Sequence, residues 1–177
     1  IYPHESDFIL LDVAGESTEV ILISKNIIER SASFFSGVNN LRRLVMEKLE
    51  VTEEIAYSFL IMNKSGTIEP AFKKELDDLA LKDSETWTSS LSNILDSFQK
   101  TSIPLPTTCF VVCDQAMLSL FESRIKELSE KYGISHIVAI TSDKILDHVE
   151  VVKSAKQVEI LMIETLFLER HGIGLHN

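Results

Sequence analysis

Asp12, Gly15, Ser17 and Thr18 are the residues whose types and spacing could do chemistry, in the pattern Asp-x-x-Gly-x-Ser-Thr. An acid at the end of an apolar run, then a tight turn, then a pair of hydroxyls, is a layout that handles phosphate. Turn amides can point at phosphate oxygens, the hydroxyls can donate, and the carboxylate can hold a metal-bound water. The same residues also make an ordinary polar hairpin turn, with Asp12 steadying it through hydrogen bonds to the amides of Ser17 or Thr18.

The elements that must position them are legible around the motif. Phe8 to Val13 is a short apolar run interrupted by one acid, and Ala14-Gly15-Glu16-Ser17 is a turn. Val20 to Ile23 is continuously apolar and reads as a central strand. Lys25-Asn26 is a two-residue polar turn suited to a hairpin, and Ile27 to Phe35 is the third strand, with Glu29 and Arg30 on its exposed side. Ser36-Gly37 ends it. Leu41, Leu44, Val45 and Leu49 then share one helical face, with Asn39 or Asn40 as the N-cap.

Downstream, Thr52 caps a helix that carries Glu53 and Glu54 in its first turn and presents Ile55, Ala56, Phe59, Leu60 and Met62 as its apolar face. It stops at Asn63-Lys64-Ser65-Gly66. Glu69 to Leu81 is a charged amphipathic helix. Ser84 caps another, to Lys100, whose stripe of Trp87, Leu91, Ile94, Leu95 and Phe98 is core. Pro104 and Pro106 set a loop. Thr107 to Cys113 is a strand, Ala116 to Tyr132 a helix closed by Gly133, and Ser135 to Ile140 a fifth strand. A short helix over Asp143 to Val152 and a final one over Ser154 to Arg170 complete the order. Three antiparallel strands, helices, strand, helix, strand, helix is an α/β arrangement: a ribonuclease-H-like mixed five-stranded sheet of order 3-2-1-4-5 with helices on both faces.

Composition sets the bounds. The chain of 177 residues is 45% hydrophobic and 25% charged, which suits one soluble globular domain. Its 17 basic and 27 acidic residues give a net charge of −10, which argues against nucleic acid or an anionic membrane surface as the main partner. Cys109 and Cys113 lie too far apart along one strand to bridge, and read as buried thiols in a reducing compartment. The most apolar stretch, Val158 to Leu168, contains Glu159 and Glu164 and is too short to span a bilayer.

The run DVAGESTEVILI, its hairpin and FSGVNNL together resemble the second half of the actin-like ATPase superfamily, closest to bacterial assembly proteins of the FtsA and PilM type. Asp12, Gly15, Ser17 and Thr18 match the family's second phosphate motif. Ala14 stands where a Gly is common, and Ser36-Gly37 stands where a Gly pair often precedes the helix. The resemblance implies that Gly15, Ser17, Thr18 and Gly37 line the phosphate side and that Asp12 holds a metal through water. It also implies that residues 1–177 are a single actin-like subdomain of a longer chain, with a small helical insert around residues 65–83.

Two further family features are altered. The Ala-Glu-x-x-Lys that holds ribose and base aligns on Ala56, which puts Tyr57 at the Glu and Leu60 at the Lys. The Gly-Gly adenosine turn is replaced by Cys113-Asp114-Gln115, whose side chains project into the space of the adenosine. The resemblance therefore implies a non-catalytic scaffold or assembly module with a degenerate nucleotide site and no cofactor. Its partners would be proteins or copies of itself, and its place cytoplasmic, at the inner face of a membrane complex. The second reading is a working ATPase half that binds Mg-ATP over Asp12 to Thr18, with Asp12 positioning the metal-bound water. A third is a two-metal nuclease using Asp12, Asp114 and Asp143, which the charge disfavours.

Overall fold

A computed structural model of the chain describes residues 4–100, 103–115 and 117–140. The first three strands are β1 (Phe8–Val13), β2 (Thr18–Ser24) and β3 (Ile27–Phe34), joined antiparallel in sequence. Lys25 and Asn26 both take positive φ, 52° and 62°, the mirror-image turn whose twist suits a two-residue hairpin. Asp7 ties this turn down by accepting from the Ser24 hydroxyl at 2.6 Å and the Lys25 amide at 3.3 Å.

Four helices follow among the described residues, with two more strands between and after the later ones. They are α1 (Val38–Leu49), α2 (Glu53–Ser65), α3 (Pro70–Gln99) and α4 (Leu118–Tyr132), with β4 (Thr108–Cys113) before α4 and β5 (His136–Ala139) after it. The sheet runs β3-β2-β1-β4-β5, as the pattern of elements predicts. β4 lies parallel to β1 and β5 parallel to β4, with Val13 opposite Cys113 and Thr108 opposite His136.

Strand alternation divides the sheet into two faces. Ile9, Leu11, Val13, Val20, Leu22, Cys109 and Val111 are buried together with Val38, Leu41 and Val45 of α1, Ala56 of α2, Trp87, Leu91 and Leu95 of α3, and Phe121 and Ile125 of α4. The described helices thus pack on this face. Leu10, Phe110 and Val112 belong to the other face and are also buried, and Phe8 meets Phe110 edge-on at 5.0 Å. The helices expected over Asp143 to Val152 and Ser154 to Arg170, and Asp143 itself, lie outside the described residues.

Several expectations from sequence need correction. The two helices read over Glu69 to Leu81 and Ser84 to Lys100 are one helix of 30 residues, α3. Neither Gly nor Pro falls between Leu81 and Ser84, so nothing breaks the helix. The polar Lys82-Asp83-Ser84 looked like a junction because Asp83 points inward, where it is buried in an ion pair with Arg124. Ser84 is therefore mid-helix, and its carbonyl accepts from the Thr88 hydroxyl.

The N-cap of α1 is Gly37 rather than Asn39 or Asn40, which lie in the helix and bind elsewhere. On α2 the predicted apolar face is only partly inward: Ala56 is fully buried, but Ile55 and Met62 are exposed. β3 has no single exposed side. It is the edge strand, so Ile27 through Ser31 are all exposed, and its pairing with β2 shifts register at Leu22/Ile23. Of the two cysteines, Cys109 is buried and Cys113 half-buried, and both are free.

Candidate functional site

The first six strand residues deliver Asp12 to the carboxyl end of β1, opposite Glu19 on β2 and Val112 on β4. The chain then turns back over Ala14 to Ser17, closed by the Ala14 amide donating to the Ser17 carbonyl at 2.9 Å. Two parallel strand ends, those of β1 and β4, meet at this edge, the place where α/β sheets bind ligands.

The start of α1 abuts this turn. The Val38 amide donates to the Ala14 carbonyl at 3.0 Å and the Asn39 amide to the Gly15 carbonyl at 2.9 Å. A helix begins with amides that have no partner within it, and it is these that bind anions in phosphate sites. Here two of them are given to the turn's own carbonyls. Gly37 makes the approach possible: a Cβ there would lie 2.2 Å from the Ala14 oxygen and 2.7 Å from the Gly15 oxygen. At Gly15 a Cβ would meet the side-chain Nδ2 of Asn39 at 2.8 Å.

The turn residues divide in their roles. Ser17 is half-buried on the turn. Thr18 is fully buried, and its hydroxyl donates to the Ser36 carbonyl at 2.7 Å while accepting from the Trp87 indole Nε1 at 2.9 Å. Of the residues read as the phosphate side, Gly15 and Ser17 stay on the turn, Gly37 lies behind it, and Thr18 faces the core. Glu16, which sequence reasoning passed over, holds the turn from outside. Its carboxylate accepts from Asn39 Nδ2 at 2.9 Å and from Arg43 Nη1 at 2.5 Å. These bonds, Asn39 first and Arg43 second, hold its pKa below the ordinary carboxylate value. No local pattern signals a pairing across 27 residues.

Across the edge, the β4–α4 turn brings Asp114 beside Cys113. The Cys113 thiol is pushed up to about 12 by burial, then by the negative charges of Asp114, Glu122 and Asp12, with Lys64 acting the other way. Among the described residues no group of three His, Cys, Asp or Glu converges in a way that could hold a metal ion. Tyr57 lies under the Arg42 guanidinium, 5.0 Å from its ring centre, and Leu60 packs against the core. Both positions aligned with base-binding residues therefore have packing roles.

Behind the turn is a second polar assembly that no sequence pattern announced. Arg124 Nη2 pairs with Asp83 Oδ2 at 2.6 Å, each side chain 1% exposed, and Asn40 Nδ2 donates to the other Asp83 oxygen. The Arg124 guanidinium lies 4.9 Å from the centre of the Phe121 ring and 6.0 Å from that of Trp87.

Of the donors a polyphosphate could use at this edge, the Val38 and Asn39 amides and the Thr18 hydroxyl are already bonded inside the protein.

No protein-family model matches the chain, and no curated protein matches it in sequence. Solved structures do. The fold is actin-like and ribonuclease-H-like, with the five-stranded sheet order of these neighbours. One such structure is the ethanolamine utilization protein EutJ from Carboxydothermus hydrogenoformans, with TM-score 0.53 and 15% identity over 80% of this chain and 47% of that one. Another is the PilM-PilN type IV pilus biogenesis complex, with TM-score 0.63 and 14% identity over 95% of this chain and 46% of that one. A ParM hybrid protein of Bacillus thuringiensis with ADP follows, at TM-score 0.51 and 13% identity over 79% of this chain and 22% of that one. The chain spans about half the length of the first two. The resemblance read from the sequence thus holds for the fold.

Proposed function

We propose that this chain is a non-catalytic actin-like module of the PilM and FtsA type, with a degenerate nucleotide site, that works by binding other proteins or further copies of itself. The observation that carries the reading is the use of the Val38 and Asn39 amides by the carbonyls of Ala14 and Gly15. An ATPase would need such donors for phosphate, metal ligands for magnesium and an open turn for the base. A scaffold needs only the fold.

Protein partners are supported by the net charge of −10, which repels nucleic acid and anionic lipid, and by the neighbour solved as a complex of PilM with PilN. No helix among the described residues is long and apolar enough to cross a membrane. On this reading the module works in the cytoplasm, at the inner face of a membrane complex.

The second reading is an ATPase half, favoured by the half-buried Asp12 at the end of β1 next to a turn that keeps Gly15 and Ser17. Asp12 would hold a magnesium-bound water, and Gly15 and Ser17 would face the phosphates. Thermal unfolding with and without millimolar Mg-ATP, combined with sedimentation of the chain at increasing concentration, separates the two. The scaffold predicts an unchanged midpoint with self-association or partner capture. A saturable rise in midpoint would favour the ATPase.

A further inference from the structure

We infer that the β1–β2 turn and the start of α1 form a lock that closes without any ligand, with Gly37 as the residue that lets it close. The inference rests on the reading of the site as degenerate and says what replaced the ligand. In a ligand-dependent turn the closed form is favoured by contacts the ligand makes only there. In this chain the closed form makes those contacts with its own atoms.

Four observations converge. The carbonyls of Ala14 and Gly15 take the amides of Val38 and Asn39 at 3.0 and 2.9 Å. Gly37 lies so close to that backbone that a Cβ would stand 2.2 Å from one carbonyl oxygen and 2.9 Å from the Gly15 carbonyl carbon, and backbone cannot rotate aside as a side chain can. On the outer side the Glu16 carboxylate bridges Asn39 and Arg43, placing a resident anion at the positive end of α1. On the inner side both flanks of Gly37 are pinned to α3: Ser36 through Thr18 and Trp87, and Asn40 through Asp83. An incoming anion could take the Val38 and Asn39 amides only by displacing bonds already made.

Amide hydrogen exchange tests this residue by residue. In the wild-type chain the Val38 and Asn39 amides should be protected to the same order as Val20 and Val111 in the central strands, and unchanged by Mg-ATP or by inorganic tripolyphosphate. Gly37→Ala should lower protection at Val38 and Asn39 by about tenfold or more while Val111 keeps its own, the signature of local opening.

Should Gly37→Ala lose the Val111 protection too, the exposed pair supplies the test. Glu16→Ala with Arg43→Ala should speed exchange at Asn39 and leave Val111 untouched. Fast exchange at Val38 and Asn39 in the wild type, slowed only when nucleotide or tripolyphosphate is added, would overturn the lock. Calorimetric binding of Mg-ATP with unchanged protection at both amides would overturn the scaffold reading instead and leave the lock standing.

Discussion

The indole of Trp87 donates to the hydroxyl of Thr18 at 2.9 Å across 69 residues of chain, and the Thr18 hydroxyl donates in turn to the carbonyl of Ser36. One side chain of the phosphate-like motif is thereby built into the core between β2, α3 and the start of α1. Thr18→Val keeps the shape and removes both bonds. It leaves a buried indole N–H and a buried carbonyl without their partner, at about 1–3 kcal/mol for each such group. Urea unfolding of the variant should show a loss of about 2–6 kcal/mol for the two groups together, without any change in the response to nucleotide. A nucleotide effect with unchanged stability would place the hydroxyl at a ligand instead.

Asp83 and Arg124 supply a second prediction. The pair is fully buried, and Arg124 Nε and Nη1 have no hydrogen-bond partner among the described residues. Breaking it from one side, as in Asp83→Ala, strands a charge and should cost about 3–5 kcal/mol. Replacing both, Asp83→Leu with Arg124→Met, should recover most of that loss. The double-mutant cycle in urea measures the difference, and additive losses would mean that the ion pair is not coupled as the distance indicates.

How much of this could be read from sequence follows from the range of each interaction. Strand order, the Lys25-Asn26 hairpin and the ends of α2 at Gly66 and of α4 at Gly133 rest on local rules of turn chemistry and periodicity, and all are present. The continuity of α3 through Asp83 was hidden because an acid in a helix reads as exposed until its buried cation is known, and Arg124 lies 41 residues away. The exposure of Ile55 and Met62 was hidden for the same reason, since amphipathic spacing says which residues share a face but not whether a neighbour covers it. The site was half legible. The Asp12 to Thr18 spacing marked the turn, whereas the commitment of Thr18 to Trp87, and of the α1 amides to Ala14 and Gly15, depends on contacts between distant elements.

Glu16 gives a prediction in pH. Its hydrogen bonds to Asn39 and Arg43 hold its folded pKa below the unfolded one. The stability it contributes is therefore present above the ordinary carboxylate pKa of about 4.3 and is lost as pH falls through the depressed folded value. A carbon-detected NMR titration should show Glu16 protonating below that ordinary value. Arg43→Ala should move its midpoint upward, and an unmoved midpoint would show that the Arg43 contact does not form in solution.

Cys113 and Cys109 should both be unreactive at neutral pH. Burial raises each thiol to about 12, and for Cys113 the charges of Asp114, Glu122 and Asp12 add to it. The thiolate is the reactive form, so alkylation by iodoacetamide at pH 7 should proceed much more slowly than for a free thiol of pKa about 8.5. Denaturation should release both cysteines at once. Rapid labelling of Cys113 in the folded protein would contradict its placement at the crowded end of β4.

The central claim is that Asp12 and its turn belong to an actin-like fold that no longer takes nucleotide. Calorimetric titration of the full chain with Mg-ATP, beside the Asp12→Ala variant, addresses it most directly. The account predicts no binding heat in either protein at millimolar nucleotide. Saturable heat in the wild type that disappears in Asp12→Ala would contradict it and restore the turn as a working phosphate site.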